Sequence, residues 1–346
     1  MNILVITNMF PSKQKPYSGL FVKNQFEELK KTYRDDSLDC YAMERKFTSK
    51  VGSLIKYSKF FLNFIFKYVF TSSKYDIIHV HFFYPTVILA YIYKYLKNKN
   101  IKIIVTFHGS DIYQNDGHLY RSLLKGVDKY IVVNSQFKKY IHAYLGKDAD
   151  VEFLPAGISE IFRPTKITKK YDLIYAGSFY SIKGFDLLAK ILTSLNKPLN
   201  IAIVGSGPLE RLINEDIKRV HNVHLIKNAS HEQLLELYNA SRFLINTSRS
   251  EAFGLSICEA MKCGVPCIAT NTDGAKEQVI DGENGFILGD FNEIFDDITP
   301  ISDLVYKTLD YPLNKYHALS DSAEKSARKW TLPNVCKRLH EIYEEV

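Results

Sequence analysis

Two acidic side chains, Glu251 and Glu259, lie in the stretch SEAFGLSICEAMKCGVPCIAT (250–270), with seven residues between them that include Phe253-Gly254-Leu255. The pattern reads as a strand (FLINTS, 243–248), a glycine loop, and a helix beginning near residue 254. A helix start offers free backbone N–H groups and the positive end of its dipole, which suit a diphosphate. Glu251, just ahead of that turn, can accept hydrogen bonds from sugar hydroxyls. Glu259, further along, can accept from a ribose, and the charge strengthens such bonds. A second candidate is Lys183 in YAGSFYSIKGFDLL (175–188), directly before Gly184 and a helical run. Its ammonium can stand beside a phosphate as a point charge. In IVTFHGSDI (104–112), His108 and Gly109 follow an apolar strand, and Asp111 is a weaker candidate for the acceptor side. Gly19, in PYSGLFVKNQ (16–25), permits close backbone approach, and Gly205 opens a GSGP turn (205–208) after another strand.

These residues need a scaffold that brings strand ends together. Short apolar runs recur at 3–7, 75–81, 102–109 and 129–135, then at 171–177, 200–207, 222–227, 243–248 and 265–270. Such runs, without alternation, suit parallel strands buried on both faces. Helical stretches such as KGFDLLAKILTSL (183–195) and HEQLLELYNAS (231–241) supply the crossovers. The expectation is an α/β chain of two Rossmann-like domains, whose ligands bind outside the strand C-termini in a cleft between them. The join is placed in the polar stretch FRPTKITKK (162–170), giving domains 1–165 and 166–329, with a last helix at about 330–346 packing back on the first.

At 346 residues the chain is long enough for two cores, and 46% hydrophobic with 24% charged residues is ordinary for a globular protein. The net charge of +7 is uneven: residues 1–165 carry 24 Lys and Arg against 14 Asp and Glu, the remainder 21 against 24. A basic first half points to an anionic partner for that half. Within it, SLIKYSKFFLNFIFKYVF (53–70) reads as an amphipathic helix. Leu54, Tyr57, Phe61, Phe64, Ile65 and Tyr68 form its apolar face, with Lys56, Lys59, Asn63 and Lys67 opposite. It suits either an anionic membrane surface or packing against its own domain, and is too charged to be a membrane span. The five cysteines form no CxxC pair and lack zinc spacing, and no metal site is expected. No P-loop, GxGxxG after the first strand, or nucleic-acid-binding signature is present. Met1-Asn2 runs straight into ILVI, which predicts no signal peptide and a cytosolic protein.

The stretch 250–270 resembles the E-x7-E motif of glycosyltransferase family 4, a family of retaining enzymes of the two-domain GT-B fold. AMKCGVPCIAT, TDGAKEQVIDGENGFI (272–287) and the late Trp330 fit the same resemblance. It implies transfer of a hexose from a UDP- or GDP-sugar to a hydroxyl of a saccharide or lipid-linked saccharide, in surface polysaccharide or lipopolysaccharide assembly. Glu251, Lys183 and His108 would be catalytic, Lys183 neutralising the departing diphosphate and His108 lying beside the transferred sugar. Gly19, Ser178, Gly205, Arg249, Phe253, Gly254, Leu255 and Glu259 would bind the donor. No cofactor and no metal are implied, the nucleotide sugar being substrate. One departure is clear: the family usually has Arg where Ser178 follows Gly177, and Arg249 is the candidate substitute cation. That departure motivates a second reading, a catalytically weak nucleotide-sugar-binding protein; a third is a GT-B-fold enzyme of another reaction, a sugar-nucleotide epimerase or a phosphorylase. Membrane contact through 53–70 would place the protein on the inner face of the plasma membrane.

Overall fold

The structure is a computed structural model that describes residues 1–12, 18–43, 50–113 and 118–346, without the side chains of 50–54, 110 and 113. The chain divides into two compact units, residues 1–157 with 332–346, and residues 158–331. The division falls between Gly157 and Ile158, somewhat before the polar stretch 162–170.

The first unit carries a parallel sheet of β1 (Asn2–Thr7), β2 (Ser37–Ala42), β3 (Ile77–His81), β4 (Lys102–Phe107), β5 (Lys129–Val132) and β6 (Val151–Phe153), in the order β2-β1-β3-β4-β5-β6. Every residue of β3 is buried, as expected of a strand with helices on both faces. One face is covered by the helices Leu20–Thr32 and Leu332–Glu345. Leu332, Val335, Leu339, Ile342 and Tyr343 of the latter join Ile3, Val5, Ile77, Ile104 and Ile131 in one core. The last helix therefore completes the first sheet.

The second unit repeats the plan with β7 (Tyr171–Ala176), β8 (Asn200–Val204), β9 (Asn222–Ile226), β10 (Ser241–Asn246), β11 (Cys267–Ala269) and β12 (Gly285–Ile287), in the order β12-β11-β10-β7-β8-β9, all parallel. The helix Phe185–Ser194 buries Phe185, Leu187, Leu188, Ile191 and Leu192 against this sheet. In β1 and β7 alike the sheet order reverses, and strand C-termini at such a switch point open onto loops that can hold ligands.

The amphipathic segment turns the face read as apolar inward and packs on its own unit. The helix Lys50–Phe64 continues as a π-helical turn, Ile65–Val69. Phe60, Phe64 and Tyr68 are buried, packing around Tyr41, and Tyr41 donates a hydrogen bond to the Phe60 carbonyl at 2.6 Å. Of the expected apolar face, Phe64 and Tyr68 thus belong to the core of their own unit, Tyr57, Phe61 and Ile65 are half-buried, and the Leu54 side chain lies outside the described residues. A different apolar set faces solvent: Ile55, Leu62, Phe66 and Phe70, exposed by 46%, 55%, 68% and 71%. Of the residues expected opposite, Lys59, Asn63 and Lys67 are exposed and Lys56 is half-buried. No helix among the described residues is long and apolar enough to cross a membrane.

Candidate active site

Two loops at strand C-termini of the second unit carry the chemistry. After β7 the chain makes a single 3-10 turn, Ser181–Lys183, and enters the helix Phe185–Ser194 through Gly184. Gly184 has φ 62°, and a Cβ there would run into the Thr247 carbonyl, so glycine is required twice over. After β10 the chain passes through Thr247, Ser248 and Arg249 to Glu251. The loops meet where the Lys183 ammonium donates to Glu251 Oε2 at 2.7 Å, and Ser248 donates to the same oxygen at 3.3 Å. Lys183 keeps 33% of its side chain exposed and Glu251 13%, so the pair is reachable from solvent.

Glu251 leads into the helix Leu255–Lys262, which Gly254 caps with no capping side chain. The N-cap glycine has no side chain to take the first-turn amides, an arrangement that suits an anion. The loop is held from behind: the Gly274 N–H donates to the Glu251 carbonyl at 2.8 Å, and the Gln278 amide donates to the carbonyls of Phe253 and Gly254. Phe253 is buried and meets Trp330 edge-on at 5.7 Å, whereas Leu255 is half-buried. Gln278 was not singled out by sequence reasoning, because nothing in TDGAKEQVIDGENGFI marks which polar side chain turns inward.

Glu259, in the second turn of that helix, accepts a hydrogen bond from the buried Tyr238 hydroxyl at 3.1 Å. Desolvation pushes its carboxyl up to about 7, against the lowering effect of Tyr238. Ser178 is exposed in the loop after β7. Gly205 donates to the Ile226 carbonyl at 2.9 Å, and the next residue's carbonyl accepts from Phe179 N–H at 2.9 Å, so the GSGP turn fixes the 177–179 loop.

Arg249 does not stand free as a substitute for the missing arginine. Its guanidinium grips Asp186 bidentately at 2.7 and 2.6 Å, donates to the Ser181 carbonyl, and lies 3.8 Å over the Phe291 ring. Sequence reasoning saw the charge and its nearness to Glu251, but Asp186 lies 63 positions away in the chain.

In the first unit, His108 follows β4 with its Nε2 3.0 Å from His81 Nδ1. Phe21 and Phe82 pack on its ring at 4.9 and 4.5 Å, and Phe82 holds a left-handed φ of 65°, a costly conformation for an aromatic residue. Burial lowers His81 to about 3 and holds His108 well below its ordinary value, so both rings are neutral at physiological pH. His79, beside them, bonds Tyr343 and Thr106, each at 2.7 Å. Asp111 turns inward, accepting from the N–H groups of His108 and Phe83 at 2.9 and 3.1 Å, and so braces this loop instead of facing an acceptor. Gly19 caps the helix Leu20–Thr32 at φ 69°, and a Cβ would strike the Met9 carbonyl, so the close approach it permits is to its own chain.

Two family models match in tandem: Glycosyltransferase Family 4 over residues 32–160, and Glycosyl transferases group 1 over residues 157–324. The chain is a family 4-like glycosyltransferase of the GT-B fold. It is 30% identical to the N-acetyl-alpha-D-glucosaminyl L-malate synthase of Bacillus anthracis over 244 residues, 64% of either chain. The match thus spans less than two thirds of that relative. An uncharacterized glycosyltransferase of Methanocaldococcus jannaschii matches at 26% identity over 99% of both chains. Among solved structures, Anabaena HepE in complex with UDP and glucose superposes with a TM-score of 0.72 at 15% identity over the whole of both chains, a likeness of fold.

In this glycosyltransferase the second unit therefore offers, within one pair of loops, a cation, a carboxylate and an uncapped helix start. Among the described residues no group of three or more His, Cys, Asp and Glu side chains could hold a metal.

The buried carboxyls set a pH signature. Burial raises Glu259 to about 7 and Asp111 to about 6. A carboxyl raised on folding stabilises the fold while protonated, and that contribution is lost as pH rises through its folded value. The melting temperature of the ligand-free protein should fall between about pH 4 and pH 7, and Glu259→Gln should remove the part of the fall above about pH 6, which Asp111 does not supply. An unchanged slope in Glu259→Gln would contradict the assignment.

Proposed function

We propose that the chain moves a hexose from a nucleoside diphosphate sugar to a hydroxyl, with the anomeric configuration kept. The observation that carries this is the 2.7 Å contact of Lys183 with Glu251 beside the uncapped helix at Gly254. The anomeric C–O bond breaks and its electrons leave with the diphosphate. Lys183 and the first-turn amides stabilise that growing charge, and fixed donors of this kind act with little reorganisation. As phosphate enters, Lys183 exchanges Glu251 for it, which leaves the carboxylate to accept from sugar hydroxyls. The acceptor oxygen attacks on the face that the diphosphate leaves, and a phosphate oxygen takes the acceptor proton. No general base and no metal are required. Glu259 accepts from the ribose, its ionised form being the better acceptor, and His108 hydrogen-bonds the transferred sugar as a neutral imidazole.

A UDP- or GDP-sugar is the proposed donor, in keeping with the UDP and glucose held by the HepE neighbour. The acceptor is proposed to be a saccharide or lipid-linked saccharide in surface polysaccharide or lipopolysaccharide assembly. The support is the basic first half and its exposed apolar stripe. Ile55, Lys59, Leu62 and Phe66 recur at helical spacing, and all are exposed together with Lys67 and Phe70. Aromatic side chains edged by lysine suit the surface of an anionic bilayer, on the cytosolic side of the plasma membrane.

Lys183→Ala and Glu251→Ala should each lower turnover by about 10²–10³-fold, the usual cost of one preorganised donor, with circular dichroism unchanged. Normal turnover in both would refute the reading. For the membrane, the protein should float with anionic liposomes at low salt and be released at high salt, because ions screen surface charge. The pair Phe66→Ser and Phe70→Ser should lower the floated fraction several-fold; flotation equal to wild type would remove this surface from the account.

A further inference from the structure

Lys183 is the cation that this loop aims at the donor, and the turn that bears it is tied down to an unusual degree. All four carbonyls of residues 181–184 accept hydrogen bonds from side chains or backbone outside the turn. The Arg249 guanidinium takes Ser181, the Arg249 N–H takes Ile182 at 3.0 Å, the Tyr175 hydroxyl takes Lys183 at 3.3 Å, and the Thr247 hydroxyl takes Gly184 at 2.8 Å. Three of the four ties come from residues 247 and 249, the segment that ends in Glu251. Arg249 is itself fixed from three sides, by the bidentate Asp186 carboxylate, by the Phe291 ring and by the Ser181 carbonyl. Asp186 lies in the first turn of the helix that follows Gly184, and Arg249 holds its carboxyl below the usual range.

We infer that Arg249 and Asp186 form a brace that positions Lys183 for the diphosphate, and that neither touches the donor. The proposal rests on Lys183 as the diphosphate-binding group. A bidentate pair fixes angle as well as distance, which a lysine in place of Arg249 could not do. The flexible Lys183 stem then starts from a Cα that cannot drift relative to Glu251. Arg249 serves the anion site through geometry, with its own charge neutralised by Asp186.

Calorimetric titration with UDP and GDP, against UMP and GMP, separates the brace from a general effect on folding. The readout is the ratio of monophosphate to diphosphate dissociation constants, which isolates what the terminal phosphate gains. Lys183→Ala should collapse this ratio for the nucleotide that binds. Asp186→Asn and Arg249→Lys should reduce it about tenfold, an energy near 1.4 kcal/mol, while monophosphate binding persists and reports an intact fold. A wild-type ratio in both Asp186→Asn and Arg249→Lys, with the ratio lost in Lys183→Ala, would overturn the brace. An unchanged ratio in Lys183→Ala, or no binding of either diphosphate, would instead overturn the reading on which the brace rests.

Discussion

A lysine and a glutamate from two separate loops, held at 2.7 Å, are the contact around which the second unit is organised. With part of the lysine in solvent, such a pair contributes little to stability, on the order of 0–1 kcal/mol. Its importance is positional. Strands β7 and β10 are neighbours in the sheet, so their C-terminal loops emerge side by side, and the parallel register decides that Lys183 and Glu251 can meet. Gly184 lets the first loop press against the Thr247 carbonyl, and Arg249 and Thr247 bind its exposed carbonyls. Gly274 and Gln278 do the same for the second loop from below. The sheet supplies proximity and the hydrogen bonds supply aim.

The first unit shows the same economy around His108. Asp111 gathers the N–H groups of two loops, His81 shares a hydrogen bond with the imidazole, and Phe21 and Phe82 enclose the ring. The left-handed φ of Phe82 is held by these surroundings, and strain of that sort gathers where a side chain must be placed for function. Closing this unit requires the chain's last helix, whose Tyr343 reaches His79 beneath the site.

Much of the scaffold was legible in the sequence because buried parallel strands leave a plain signature. The nine apolar runs match nine strands, and the glycine before Leu255 marks a real helix start. β2, β6 and β12 were missed: SLDCYA alternates with exposed polar residues, and VEF and GFI are three-residue edge strands too short to form a run. The helix at 50–69 was placed and turned as read, with Phe64 and Tyr68 inward, but the apolar residues Ile55, Leu62, Phe66 and Phe70 on its exposed side were not singled out. Arg249 was readable as a charge near Glu251, and its neutralisation by Asp186 was not, because that depends on how two loops fold together. Asp111 and Gly19 carry the same lesson: the residue type was noticed, and the group it serves proved to be the chain's own backbone.

The central claim is that the loops around Lys183 and Glu251 hold the diphosphate and sugar of a nucleotide donor. A thermal-shift panel of UDP- and GDP-sugars tests it most directly, since a ligand at about 100 times its dissociation constant adds roughly 2.7 kcal/mol to the fold that binds it. The account requires that at least one such donor raise the melting temperature, and that the rise shrink sharply in Lys183→Ala. A panel in which no nucleotide sugar moves the transition, or in which Lys183→Ala responds as fully as the wild type, would contradict it.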